Sequence, residues 1–323
     1  MSELTITPEK IEDAASRLPP EVRYTPLIPV SRGSEEVGEE KLFAKAENLQ
    51  ITGSYKPRSA FHIINTLTSE QRKRGLVLSS SGNFAQAFGY ASAVTGVPVT
   101  IVMPNFTATI KVEATRRYGA EVVLCEGFEN REPTVEEIAL DRGMIALNTY
   151  ENPEVMIGHG SIGLEIVEQL PEVTTVLVPI SSGGLVSGVA VAAKSRNPNI
   201  RVVGVQPQYA NAAYVSWQKG RVTTIDHWDS MADALSARKP GILPFRHLKE
   251  YLDDIVLVSE KDIARAFSTL SLRTKIIAEP GGAVATAAFL SGIVSDTDIT
   301  VAIVSGGNTD LVTVRKMMDL AES

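Results

Sequence analysis

From residue 75 onward, short apolar runs alternate with longer segments of helical length, and glycine or proline marks many of the boundaries. The runs are aliphatic or β-branched without polar alternation, which is typical of strands buried on both faces of a parallel sheet. The predicted strands are Val77–Leu78, Val99–Met103, Val122–Leu124, Met144–Leu147, Thr175–Pro179, Val202–Val205, Ile255–Val258 and Ile299–Val304. The predicted helices are Phe84–Val94, Thr107–Tyr118, Thr134–Arg142, Gly158–Leu170, Leu185–Ser195, Glu260–Arg273, Pro280–Ser291 and Thr309–Leu320.

This alternation predicts an α/β protein with two open, mostly parallel sheets of about four strands each, flanked by helices. A cleft is expected between the sheets, and ligands of such sheets bind where strands end and the next helix begins. The least regular stretch, Trp217–Phe245, is predicted to be a surface excursion. The charged cluster Glu35–Lys41 is predicted to be a solvated loop.

Composition narrows the class of protein. The chain has 323 residues, 44% hydrophobic and 21% charged, with a net charge of −7. That length allows two domains, and the mild acidic excess argues against a duplex nucleic-acid partner. Met1–Thr5 lacks a signal-peptide pattern, no apolar run is long enough to span a membrane, and the single Cys125 fits a reducing compartment. We therefore predict a cytoplasmic enzyme with neither nucleic-acid nor membrane partners.

Three polar, glycine-rich turns follow predicted strands and lead into helices: Ser79–Asn83, Ser181–Gly184 and Ser305–Asn308. Glycine lets the backbone approach a ligand, while free N–H groups at a helix start favour an anion. Neither the phosphate-loop pattern of nucleotide triphosphatases nor the full dinucleotide fingerprint is present, which disfavours those ligands. One such turn could be a plain structural connection, but three indicate that anionic ligand groups bind on one side of the sheets.

Lys56 follows a polar Gly-Ser turn and precedes the helix-starting Pro57. It could be an ordinary surface lysine. If its pKa is lowered, however, its neutral amine can attack a carbonyl group.

The segment Thr52–Ala60 (Thr-Gly-Ser-Tyr-Lys-Pro-Arg-Ser-Ala) resembles the cofactor-lysine motif of the serine/threonine dehydratase family, pyridoxal-phosphate enzymes of fold type II. Ser80–Asn83 resembles the family's substrate loop, Ser181–Leu185 its phosphate loop, and Glu279-Pro280 and Ser305–Asn308 its other cofactor-contacting segments. The five motifs occur in the family's order. The resemblance implies a large domain, 1–74 and 152–323, interrupted by a small α/β domain, 75–151, with the cofactor in the cleft between them.

The resemblance also implies the role of each site residue. Lys56 would bind pyridoxal 5′-phosphate covalently and act as acid and base at the substrate Cα, with Ser81 on the opposite face. The cofactor phosphate would be held by Ser182, Gly183, Gly184 and Leu185. The remaining cofactor contacts would come from Tyr55, Asn83, Glu279 and Ser305. The substrate would be bound by Ser80, Ser81, Gly82, Asn83 and Phe84.

The chain departs from the family pattern in the substrate and phosphate loops. Phe84 stands where the family usually has histidine, which indicates either a bulkier, less polar substrate or local repacking. Ser181 and Ser182 replace two of four common glycines, and their hydroxyls can add donors to a phosphate. Tyr55 matches an aromatic position beside the cofactor ring, although a core aromatic is an equal alternative.

No metal site is predicted. The two carboxylate positions of the divalent-cation site found in many relatives are Gln206 and Ala212 here, and Mg²⁺ and Ca²⁺ prefer anionic oxygen ligands. The four histidines are too scattered to form a ligand set: His62, His159, His227 and His247.

The predicted function is β-elimination on a β-hydroxy amino acid such as L-threonine or L-serine, giving a 2-keto acid and ammonia. The alternative is an amino-acid racemase, or a lyase acting on 3-hydroxyaspartate or a bulkier β-hydroxy amino acid. A β-replacement synthase fits the Ser80–Ala85 loop less well, and Lys56 argues against a non-catalytic amino-acid-binding protein. The resemblance further implies a homodimer or homotetramer.

Overall fold

The computed structural model describes residues 4–31, 40–294 and 299–323. Strands and helices alternate along most of this length. The strands are β1 Leu27–Pro29, β2 Leu42–Lys45, β3 Leu76–Ser79, β4 Val99–Pro104, β5 Glu121–Cys125, β6 Ile145–Ala146, β7 Thr175–Pro179, β8 Arg201–Pro207, β9 Asp254–Val258 and β10 Thr300–Ile303. The helices are α1 Pro8–Ser16, α2 Pro57–Thr66, α3 Ser69–Arg74, α4 Asn83–Thr95, α5 Thr109–Arg117, α6 Arg131–Arg142, α7 Pro153–Gln169, α8 Gly184–Arg196, α9 Ala212–Lys219, α10 Ile242–Tyr251, α11 Glu260–Leu272, α12 Pro280–Leu290 and α13 Leu311–Glu322.

The strands form two sheets. The larger has six strands in the order β1-β2-β10-β7-β8-β9, and the smaller has four in the order β5-β4-β3-β6. Every pair is parallel except β1 with β2. The predicted fold class, two open and mostly parallel sheets flanked by helices, is confirmed.

Both faces of the larger sheet are buried, which explains its strands' uniform apolar character. In β7, Leu177 packs into one core cluster with α11 and α12, while Val176 and Val178 pack into another with α7 and α8. The same alternation holds in β10, where Ala302 faces the first cluster and Val301 the second. Successive residues of each strand therefore point to opposite faces of the sheet, and each face packs into its own apolar core.

Helices α7 and α8 approach so closely that only glycine fits between them. A Cβ on Gly188 would lie 2.1 Å from the Met156 carbonyl oxygen, and one on Gly163 would lie 2.7 Å from that of Val189. This contact fixes α8, whose first turn is one of the predicted ligand loops, against α7.

The structure corrects two expectations. The larger sheet has six strands rather than about four, because β1 and β2 in the N-terminal segment join it. The stretch Trp217–Phe245 is not simply a surface excursion, since it includes the end of α9 and the start of α10. Most of the charged cluster Glu35–Lys41 lies outside the described residues.

Candidate active site

The Lys56 segment is fixed against the loop that follows β10. Ser54 and Gly306 form an isolated antiparallel bridge, and the Tyr55 N–H donates to the Ser305 carbonyl at 3.1 Å. The Gly307 N–H donates to the Gly53 carbonyl at 2.8 Å. Two of the predicted loops are therefore joined by backbone hydrogen bonds, and Lys56 comes directly before α2.

The Lys56 amine lies between two aromatic rings. Its Nζ is 4.4 Å from the ring centroid of Tyr55 and 4.4 Å from that of Phe84. Burial here lowers the pKa of Lys56 to about 7, and the more distant Glu279 carboxylate only partly opposes that shift. A substantial fraction of this amine is therefore neutral and nucleophilic near neutral pH.

The Ser80–Phe84 loop follows β3 and meets the loops after β10 and before α12. Asn83 begins α4, and its Nδ2 donates to Glu279 Oε1 at 2.8 Å. Asn308 Nδ2 donates to Asn83 Oδ1, also at 2.8 Å. Thr107 donates to the Ser81 hydroxyl at 3.5 Å, and the Gly82 N–H donates to the Ser80 hydroxyl at 3.4 Å.

Glu279 is buried at the start of α12 beside this loop. Burial, followed by the negative charge of Asp233, raises the pKa of Glu279 to about 7, while the hydrogen bond from Asn83 opposes the shift. A Cβ on Gly306 would lie 2.4 Å from Glu279 Oε1, so a larger residue there would force the Glu279 side chain to shift. Ser305, next to it, is buried at the end of β10.

The 182–185 loop forms the N-terminus of α8. Gly183 has φ +103°, and a Cβ there would lie 2.9 Å from the Pro244 side chain. The N-cap residue, Gly183, has no side chain, and no side-chain capping hydrogen bond is present here among the described residues, so the first N–H groups of the helix face the loop without a capping acceptor. Ser182 lies beside α10, since its carbonyl accepts the Gly241 N–H at 2.9 Å. An uncapped helix start with a left-handed glycine is a suitable cradle for a phosphate.

The predicted site residues fit pyridoxal phosphate. The chain provides an amine with a lowered pKa, an uncapped helix N-terminus for an anion, and an aromatic ring on each side of the amine. Among the residues that the structure describes, buried polar atoms in the same region, including the Ser54 hydroxyl, also have no hydrogen-bond partner. The roles of the individual residues remain predictions, as does the domain division at 75 and 152.

Hydrogen bonds engage the side chain of Gln206, one of the two positions at which no metal ligand is expected. Gln206 Nε2 donates to the Ile180 carbonyl at 3.2 Å, and its Oε1 accepts the Tyr214 N–H at 2.9 Å. Ala212, at the start of α9, offers no ligand atom in its side chain. Over the described ranges, no group of three or more His, Cys, Asp or Glu side chains is placed to hold a metal ion.

Two features near Lys56 were missed from the sequence. Arg58, buried in the first turn of α2, pairs with Glu47 at 2.8 Å and with Glu165 at 2.5 Å. His159 is buried on α7 beside the Tyr55 ring. The arginine in the Thr52–Ala60 segment is the sequence signal for the buried ion pairs. The sequence contains no signal for His159, because its position depends on helix packing.

Comparisons with known proteins agree with this geometry. Residues 18–306 match the family model described as pyridoxal-phosphate dependent enzyme. An L-threonine ammonia-lyase from Thermotoga maritima is 40% identical over 95% of this chain and 76% of its own. The structure of maize serine racemase matches with a TM-score of 0.90 at 34% identity, covering 97% of each chain. Processed threonine deaminase isoform 2 from Solanum lycopersicum matches with a TM-score of 0.90 at 28% identity, covering 100% of this chain and 96% of that one.

The chain belongs to the family of pyridoxal-phosphate dependent enzymes that includes the threonine ammonia-lyases and serine racemases. The family, enzyme class and cofactor predicted from the sequence are confirmed. No helix in the described residues has both the length and the apolar character needed to cross a bilayer.

Proposed function

We propose that this enzyme is an ammonia-lyase that converts L-threonine, L-serine or a related β-hydroxy amino acid to a 2-keto acid and ammonia. The observation that carries the proposal is the Lys56 amine, which lies between Tyr55 and Phe84 with its pKa lowered to about 7. It is supported by relatives named L-threonine ammonia-lyase, of which the chain covers about three quarters.

Joined to the substrate amine, pyridoxal phosphate would supply an electron sink that makes the Cα–H bond acidic. Ser182–Leu185 at the start of α8 would hold its phosphate, and Ser80–Asn83 would bind the substrate carboxylate through backbone N–H groups and hydroxyls. The neutral Lys56 amine takes the Cα proton, and the resulting ammonium can protonate the departing β-hydroxyl. The enamine that is released hydrolyses to the keto acid and ammonia.

Phe84 is the residue of the substrate loop that distinguishes this chain. Its ring stacks on Phe88 with centroids 5.5 Å apart, so the wall beside the Lys56 amine is apolar. An apolar wall favours a substrate with a methyl group at Cβ over one without it. We therefore infer a preference for L-threonine over L-serine, with a larger β-hydroxy amino acid as the next substrate to test.

The test is incubation of the full chain with L-threonine and L-serine and measurement of 2-keto acid and ammonia. Keto acid should form from L-threonine with the higher kcat/KM. Lys56→Ala should abolish both turnover and the visible absorbance of the covalently bound cofactor, which borohydride should remove from the wild type. Unchanged absorbance in Lys56→Ala would contradict the assignment of Lys56.

Racemisation is the second function to test, because the Ser81 hydroxyl lies in a loop that reaches the Lys56 amine through Phe84. An acid on each face of Cα would allow reprotonation from the other side. The D-enantiomer should be measured in the same incubations. If it forms without keto acid, the enzyme is a racemase and the lyase proposal is wrong.

We further propose that the enzyme acts in the cytoplasm as a homodimer or homotetramer, with the domain division 1–74 and 152–323 against 75–151. The chain's single cysteine supports the compartment. Light scattering on the purified chain would measure the subunit number, and a monomer would contradict that part of the proposal.

A further inference from the structure

A buried histidine, His159, lies next to the proposed cofactor site and has no role in the mechanism above. It is 1% exposed, and within the described residues neither ring nitrogen has a hydrogen-bond partner of normal geometry. A buried donor without a partner is costly, so such groups usually bind a water or a ligand.

The imidazole lies between the lysine pocket and the start of α8. Its ring centroid is 4.6 Å from that of Tyr55 and 6.2 Å from that of Phe84, both in edge-on geometry. On the other side, its Nδ1 is 4.0 Å from the position that a Cβ on Gly184 would take. Because Gly184 has no side chain, the ring nitrogen can approach a ligand held at this helix N-terminus.

The surroundings keep this imidazole neutral. Burial lowers the pKa of His159 well below its ordinary value, and the positive charges of Lys56 and Arg58 lower it further. The backbone of Gly184, at the start of α8, opposes this shift only partly, and His62 adds a smaller lowering effect. A neutral imidazole still carries one N–H donor.

We propose that His159 donates a hydrogen bond to the phosphate group of the bound cofactor, next to the N–H groups of Ser182–Leu185. His159 is then a cofactor-binding residue contributed by α7, in addition to the loop before α8. The inference rests on the cofactor position in the proposed function, but it concerns binding and not turnover.

The test compares pyridoxal phosphate with pyridoxal, which lacks the phosphate, as ligands of the full chain. His159→Phe keeps the ring that packs on Tyr55 but removes the donor, so the Kd for pyridoxal phosphate should rise about ten-fold while the Kd for pyridoxal stays unchanged. His159→Gln, which keeps an N–H donor, should restore part of the affinity. The matched control is His247→Phe, a second buried histidine with an unpartnered Nε2, which should change neither Kd.

An equal loss for both ligands, or no loss for either, would overturn the proposal. Nitrogen NMR of the labelled wild type provides an independent measurement that needs no variant to fold. The His159 ring signals should shift when inorganic phosphate is added, and unshifted signals would overturn the proposal. If keto acid fails to form while these binding results hold, the proposed function fails and the His159 contact stands.

Discussion

At the scale of single residues, the pKa of Lys56 determines how cofactor capture depends on pH. The neutral amine is the nucleophile, and burial lowers the pKa of Lys56 from 10.5 to about 7. After mixing cofactor-free full chain with pyridoxal phosphate, the initial rate of covalent capture should therefore rise with pH through about 7 and level off above it. About 90% of the amine is already neutral one unit above its pKa.

Nα-acetyl-lysine in solution is the control for this measurement. Its amine has the normal pKa of lysine, so its reaction rate should keep rising with pH well above 7. If capture by the protein kept rising in the same way as capture by the free amino acid, Lys56 would have an ordinary pKa and its aromatic pocket would not activate it.

The raised pKa of Glu279 should make the stability of the folded chain depend on pH. Burial raises the pKa of Glu279 from 4.5 to about 7, so the folded chain holds a proton that the unfolded chain has lost. Stability should therefore fall as pH rises between these values and stay reduced above them, by about 3 kcal/mol. In urea unfolding of the cofactor-free chain, Glu279→Gln should remove most of this loss, because glutamine keeps the oxygen that accepts from Asn83.

Glu136→Gln, an exposed glutamate on α6, is the matched control and should leave the pH dependence of unfolding unchanged. Equal pH dependence in the wild type and Glu279→Gln would mean that the Glu279 carboxyl stays charged when buried.

At the scale of elements, the contact between α7 and α8 holds His159 behind the proposed phosphate cradle. A Cβ on Gly188 would meet the Met156 carbonyl oxygen at 2.1 Å and the Gly160 nitrogen at 2.8 Å, and both are backbone atoms that cannot rotate away. Gly188→Ala should therefore destabilise the chain by about 3 kcal/mol in urea unfolding, although alanine favours a helix. It should also weaken cofactor binding, because α7 must shift.

Ser195→Ala, at the exposed end of the same helix, is the control and should change unfolding by less than about 0.5 kcal/mol. A small effect of Gly188→Ala would show that the two helices can separate without cost.

The strands and helices also show which parts of the fold can be predicted from the sequence. Strands buried on both faces were predicted because their residues are uniformly apolar, as in Thr175–Pro179. Strand β2 was missed because it ends in Lys45, whose charge is balanced by Glu165 from a distant helix. Helix α10 begins inside the stretch predicted to be a surface excursion; Pro244 lies in its first turn, where proline needs no hydrogen-bond donor.

The loops of the candidate site could be predicted because glycine and serine residues directly after a predicted strand can be recognised in a short stretch of sequence. Their surroundings could not be predicted, because Lys56 contacts Phe84 and Tyr55 contacts His159 only through the packing of separate helices. The sequence therefore indicates candidate groups, and the packing of α2, α4 and α7 determines the environment of the lysine and the histidine.

At the scale of the whole molecule, a buried network of charged side chains joins β2 and α2, in the N-terminal segment, to α7. Glu165 on α7 accepts from Lys45 on β2 and from Arg58 on α2, both at 2.5 Å. Arg58 also pairs with the buried Glu47, whose pKa is lowered by this guanidinium and by Lys45 against the effect of burial. The segments joined are more than 100 residues apart in the chain, and Lys56 lies two residues before Arg58.

Removing one partner of a buried network leaves the other charges unpaired, which commonly costs about 3–5 kcal/mol. Glu165→Gln should therefore destabilise the chain by that amount in urea unfolding and weaken cofactor binding, because the start of α2 loses its anchor. Glu172→Gln, exposed just after the same helix, is the matched control and should cost less than about 1 kcal/mol. If both variants had the same small effect, apolar packing alone would join the two segments, and the position of Lys56 would not depend on the network.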